Sequence, residues 1–215
     1  MDVRLDSAGR ASFTLVAAGS DAQVSLTLHG AHHVSNALAA AAVAIGLGAD
    51  VERTADALSR AVLVASGRME VTDRPDEVRV INDAFNANPD SIKAALTALE
   101  AMSSGRRTIA VLGEMKELGA GGGDGHRQVG RLVAASGVNV LIAVGGDDAQ
   151  AMADAAQENN PGLTVVSARD RDHALTLAHD LIQPGDIVLV KGSHSVGLEH
   201  TAERLAQPDT MAGDR

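Results

Sequence analysis

The chain has 215 residues, a formal net charge of −10, 45% hydrophobic and 21% charged residues, no Cys, Trp or Tyr, and two Phe. Without cysteine it has neither a disulfide framework nor a thiolate zinc site, and an acidic chain with so few aromatic platforms is poorly suited to nucleic acid. No apolar run approaches the ~20 residues that cross a bilayer, no signal-type stretch follows Met1, and a reduced, cytoplasmic compartment fits the composition.

At ~150 residues per domain the length allows one domain and a substantial remainder, and the chain reads in two parts. Ala11–Val16 and Ala22–Leu28 are strand-like runs around Ala-Gly-Ser-Asp and predict a hairpin. An Ala-rich helix is expected from about His32 to Leu47, closed by Gly48, and a second from about Val51 to Val64. This block, residues 1–65, is too small to bury both faces of its sheet and reads as the tail of something larger.

From Gly67 a different rhythm begins. Met69–Thr72 and Val78–Ile81 flank the turn-like Asp73-Arg74-Pro75-Asp76 and predict a second hairpin. Helices are then expected at Pro89–Ser103, Gly125–Ser136, Asp147–Glu158, Asp170–Leu181 and near Gly197–Leu205. Strands alternate with them at Thr108–Leu112, Val140–Val144, Leu163–Val166 and Ile187–Val190. Apolar strands alternating with helices predict an α/β domain over residues 66–215, a doubly wound, Rossmann-like, mostly parallel sheet. The tail Asp209–Arg215 is expected to fray. Ala65-Ser66-Gly67, between the two parts, is small enough to act as a hinge.

In such sheets the ligand crevice lies beyond the carboxyl ends of the strands, and the unusual residues collect there. The first parallel strand is followed by Asn82-Asp83-Ala84-Phe85-Asn86-Ala87-Asn88-Pro89-Asp90-Ser91, the second by Gly113-Glu114-Met115-Lys116-Glu117-Leu118-Gly119. The third ends in Gly145-Gly146 and the last in Lys191-Gly192-Ser193-His194. Asn88-Pro89 has a purely structural reading as N-cap and first helical residue, which leaves Asp83, Phe85 and Asn86 unexplained. Glu114 reads as a rim residue and Glu117 as solvated. Lys191 reads as an anion contact or, equally, as half of an ion pair. His32 and His33 are adjacent and point apart on a helix, so no metal site is expected. His126 reads as structural beside a mobile Gly119–Gly125 loop.

Asp-x-Phe-Asn-Ala-Asn-Pro-Asp-Ser, then Gly-Glu-Met-x-Glu-Leu-Gly, with Gly67-Arg68-Met69-Glu70 before and Lys191-Gly192-Ser193 near the end, resembles the C-terminal domain of the Mur ligases. Gly30-Ala31-His32-His33-Val34-Ser35-Asn36-Ala37-Leu38-Ala39-Ala40 is similar to the closing helix of that family's central ATPase domain. The resemblance covers almost the whole chain. Its Asn-Ala-Asn-Pro segment points to the member that joins D-alanyl-D-alanine to UDP-N-acetylmuramoyl-tripeptide in peptidoglycan synthesis.

The resemblance implies an ATP- and Mg-dependent peptide ligase in which an amine attacks an acyl phosphate. It implies nucleotide contacts at His33 and Asn36, a γ-phosphate contact at Arg68 and a ribose contact at Asp83, with Arg68 and Lys191 as catalytic residues. Phe85, Asn86, Asn88, Glu114 and Ser193 are implied in the dipeptide site. Three positions depart from the family pattern: His33 stands where Asn is usual, Phe85 where Tyr is common, and His194 where Arg is usual. No Gly-x-x-x-x-Gly-Lys-(Ser/Thr) occurs in the sequence. The chain is therefore expected to be a ligase fragment, inactive alone, whose P-loop and magnesium ligands lie upstream. The alternatives are a stand-alone nucleotide- or dipeptide-binding module and a sibling ligase fragment adding another amino acid.

Overall fold

In the computed structural model, which describes residues 2–62 and 66–207, the chain forms two compact units, Met1–Ala65 and Ser66–Arg215. In the first, strands β1 (Arg4–Leu5), β2 (Arg10–Ala17) and β3 (Ser20–His29) form an antiparallel sheet in chain order. The expected hairpin turns at Ala18 and Gly19, both at positive φ, a backbone whose twist suits a two-residue hairpin. The two-residue β1 has too short a pattern to be read from sequence.

Helices α1 (His32–Gly46) and α2 (Val51–Ser59) pack on one face of that sheet. Ala11, Phe13 and Leu15 alternate inward along β2 and meet Val24, Leu26, Val34 and Val51. The α2 helix is shorter than expected and ends at Ser59. Leu63, Val64 and Ala65, and the tail expected to fray, lie outside the described residues.

The second unit is the expected α/β fold. A six-stranded sheet runs β4 (Glu70–Asp73), β5 (Arg79–Asn82), β9 (Ile187–Lys191), β6 (Thr108–Gly113), β7 (Val140–Val144), β8 (Thr164–Ala168). β4 pairs antiparallel with β5; every other pairing is parallel. Residues 109–112, 140–144 and 187–190 are all buried, because neighbouring side chains serve opposite faces. Ala110, Leu112, Leu141, Ile187 and Leu189 pack with α3 (Pro89–Ser103), α4 (Gly122–Ala135) and α5 (Asp147–Asn159). Ile109, Val111, Ile142, Val188 and Val190 pack with α6 (Arg171–Leu181) and α7 (Leu198–Ala206).

Two sequence expectations are corrected here. Gly119–Gly125 is no open loop: Gly119–Gly121 form a 3₁₀ turn, and α4 already starts at Gly122. A Cβ on Gly125 would lie 2.9 Å from Leu118 Cδ1, so the glycine there permits close packing. The fourth strand is shifted to Thr164–Ala168, with Leu163 buried just before it.

β9 is the last strand in sequence but sits between β5 and β6. That insertion brings Lys191 beside the loop after β5 and Ser193 beside the loop after β6.

Candidate functional site

The rim is built from the four loops at the carboxyl ends of β5, β9, β6 and β7, and it is cross-linked by buried polar contacts. Lys191, 3% exposed, ends β9. Its ammonium donates to Asp83 Oδ2 at 2.7 Å and to the Asn86 carbonyl at 2.8 Å, so the ion-pair alternative is the one formed. A buried ammonium requires such partners, since desolvation of an unpaired charge is costly. Asp83 Oδ1 accepts the Met69 amide at 3.1 Å. Both carboxylate oxygens implied for a ribose are thus already engaged within the protein.

Phe85 is 42% exposed. The Arg68 guanidinium carbon lies 4.0 Å from its ring centroid, and the His194 ring lies 6.2 Å away. Two of the three departures from the family pattern, Phe85 and His194, are therefore neighbours. Nδ1 of His194 is paired with Glu199 Oε1.

The Phe85 amide donates to the Gly67 carbonyl at 3.0 Å, and the Gly67 amide donates to Glu70 Oε2 at 3.3 Å. Gly67 has φ +71°, which glycine adopts without steric cost. Gly67 is thereby tied into the rim.

Asn88 is the N-cap of α3, and its Oδ1 accepts the Ser91 amide while Ser91 Oγ accepts the Asn88 amide. The structural reading accounts for Asn88, Pro89 and Ser91. Asn86 is exposed, and its Oδ1 accepts the Ala87 amide at 2.8 Å.

Glu114 links three loops. Its Oε1 accepts the Gly146 amide at 2.8 Å, its carbonyl accepts the Ser193 amide at 3.2 Å, and its other carboxylate oxygen pairs with Lys116. Burial alone pushes its carboxyl up, but Lys116 and the Gly146 amide together hold it below the ordinary range. Ser193 is buried, and its Oγ accepts the Lys116 amide at 2.9 Å.

His126, 0% exposed, sits beneath this loop. Its Nε2 accepts the Met115 amide at 2.9 Å, and its Nδ1 lies 2.7 Å from the Gly122 carbonyl. These partners select the neutral tautomer with the proton on Nδ1. The sequence reading put His126 beside a mobile loop; it lies on α4 and fastens the loop after β6 to that helix through the Met115 amide. The roles of Met69, Lys116 and Glu199 were also missed, because they act through backbone amides or pairings that only the fold creates.

In the first unit Asn36 is exposed on α1. His33 is 8% exposed and its Nε2 has no hydrogen-bond partner. Burial, with His32 and His29 nearby, lowers its pKa from 6.5 to about 4. Val34 and Ala37 of the same helix are buried with it. Among the described residues no three His, Asp or Glu side chains are grouped to hold a metal ion.

Rim and sheet together form a mostly parallel α/β domain that gathers its polar loops at the carboxyl ends of the strands. Residues 67–194 match the family described as Mur ligase, glutamate ligase domain, so the chain belongs to the Mur ligases. It is 41% identical over 230 residues to the UDP-N-acetylmuramoyl-tripeptide--D-alanyl-D-alanine ligase of Mycobacterium tuberculosis (strain CDC 1551 / Oshkosh), covering 99% of this chain and 45% of that relative. It is 31% identical over 199 residues to the ligase of the same description from Escherichia coli (strain K12), covering 92% of this chain and 42% of that relative. The crystal structure of MurF from Acinetobacter baumannii superposes with a TM-score of 0.82 at 29% identity, over 96% of this chain and 44% of that one. The chain thus spans less than half the length of these relatives.

Proposed function

We propose that this chain serves the ligation of D-alanyl-D-alanine to UDP-N-acetylmuramoyl-tripeptide, a cytoplasmic, ATP- and Mg-dependent step of peptidoglycan synthesis. Residues 66–215 act as the C-terminal ligase domain and residues 1–65 as the end of a central ATPase domain. The reading is carried by Arg68: its guanidinium rests on Phe85 with no hydrogen bond or ion pair to any described residue, and Asn86, next in sequence to Phe85, is exposed. A guanidinium with its donors free neutralises phosphate charge as it develops in a transition state.

Arg68 is the γ-phosphate contact and His33 and Asn36 are the nucleotide contacts. Phe85, Asn86 and Asn88 shape the dipeptide site, with Glu114 and Ser193 fixing its floor. Asp83 and Lys191 hold the rim in register; a ribose hydroxyl can still donate to Asp83, since each carboxylate oxygen has a second lone pair. The P-loop and the magnesium ligands belong to an upstream part of the same ligase. Departures in sibling ligases that add other amino acids are expected in the Asn86–Asn88 segment.

The coding DNA upstream of Met1 provides the test. An open frame encoding Gly-x-x-x-x-Gly-Lys-(Ser/Thr) is expected. The protein it encodes should release phosphate from ATP only when both UDP-N-acetylmuramoyl-tripeptide and D-alanyl-D-alanine are present, whereas the 215-residue chain alone should form no product. Phosphate release that answers to a different amino acid, or product from the chain alone, overturns the reading.

A further inference from the structure

Arg68 is exposed, and an exposed arginine side chain ordinarily samples many rotamers. Here three independent features restrict it. The Arg68 guanidinium carbon stands 4.0 Å from the Phe85 centroid, inside the range of a cation–π contact. The backbone on either side is clamped to the loop after β5: the Phe85 amide donates to the Gly67 carbonyl, and the Met69 amide donates to Asp83 Oδ1.

Arg68 also lies between two residues at positive φ, Gly67 at +71° and Met69 at +53°. For methionine that conformation carries a steric cost that surrounding structure must offset. Met69 is 1% exposed, so its side chain is anchored in the core while its amide is held by Asp83. Asp83 is held in turn by the buried Lys191 ammonium, which bonds the Asn86 carbonyl as well.

We propose that Phe85 and the Lys191–Asp83 pair are positioning residues for Arg68. The pair fixes the backbone from which the arginine projects, and the Phe85 ring fixes the plane of its guanidinium. Because the contact is to a π-face, orientation is gained without consuming any N–H donor, and the planar fork stays free for an anion such as a polyphosphate. Phe85 thus acts through the arginine, in contrast to its role as a wall of the dipeptide site. The absence of a phenolic hydroxyl at Phe85 leaves this function intact, since the stack needs only a ring. The anion specificity rests on the reading of Arg68 as a phosphate contact; the positioning does not.

The test is nuclear magnetic resonance of the Arg68 Nε–H group in the 215-residue chain, with inorganic tripolyphosphate as the probe. The wild type and Phe85→Tyr should show an ordered Nε–H, and Phe85→Leu a mobile one. Lys191→Met should also loosen it with the ring intact, while the amide spectrum elsewhere reports that the fold is kept. Tripolyphosphate should shift the Arg68 signal, with about ten-fold weaker affinity in Phe85→Leu, as expected for loss of a cation–π contact and its ordering. An Arg68 Nε–H that is mobile in the wild type, or equally ordered in Phe85→Leu and Lys191→Met, overturns the positioning claim. Phe85-dependent order with no response of Arg68 to tripolyphosphate upholds that claim and overturns the phosphate reading.

Discussion

His33 shows how one buried side chain sets a pH dependence. Its pKa is lowered from 6.5 to about 4 by burial and by His32 and His29. Below pH 6.5 the unfolded chain therefore takes up a proton that the folded chain refuses, and stability falls with falling pH until about 4, below which this loss is complete. Allowing for solvent screening, the loss is on the order of 2 kcal/mol. Urea unfolding of the first unit followed by circular dichroism at pH 7 and pH 4.5 should show it, and His33→Gln should flatten the difference. His126 is the contrasting case. It is also buried, but Met115 and Gly122 satisfy both of its nitrogens. His126→Ala strands the buried Met115 amide and should cost about 2–4 kcal/mol in thermal or urea unfolding.

Among the elements, α3 and α4 are positioned by different means. α3 begins at a reciprocal capping pair, Asn88 with Ser91, followed by Pro89 at the first helical position. Asn88→Ala should lower stability by about 1 kcal/mol. If Asn88 also faces the dipeptide, that variant will raise KM for D-alanyl-D-alanine in the longer ligase beyond what the stability loss explains. α4 instead depends on close approach to α5. A Cβ on Gly130 would stand 2.2 Å from the Met152 carbonyl oxygen and 2.9 Å from Ala155 Cβ. Neither is the flexible end of a side chain, so Gly130→Ala must push the helices apart. A loss of at least 2 kcal/mol is expected from such overpacking, and a variant as stable as wild type in urea would contradict the packing described. The Asn88 cap was legible in the sequence because it is local; the demand at Gly130 was not, because it arises from a partner helix.

Across the whole molecule the two units differ in how their cores are made. The first relies on one cluster beneath a three-stranded antiparallel sheet, whereas the second has a cluster on each face of a parallel sheet. Smaller cores leave lower free energies of opening. Amide hydrogen exchange should therefore be faster in β2 and β3 than in β6, β7 and β9, and equal protection would refute this ranking. Most strands and helices of both units were legible from residue order alone, because periodicity, turn residues and caps act over a few positions. The reading failed at Gly119–Gly125, where glycines weaken the local signal for a helix but the fold sustains one from Gly122.

The motifs around Phe85, Glu114 and Lys191 were likewise visible in the sequence as loops after strands, and so was the family they resemble. Their mutual arrangement was not. Only the insertion of β9 between β5 and β6 sets Lys191 against Asp83 and Ser193 against Glu114. Local propensities specify which residues form strands, but sheet order is decided by which hydrophobic faces can be covered at once. The rim is a product of that second choice.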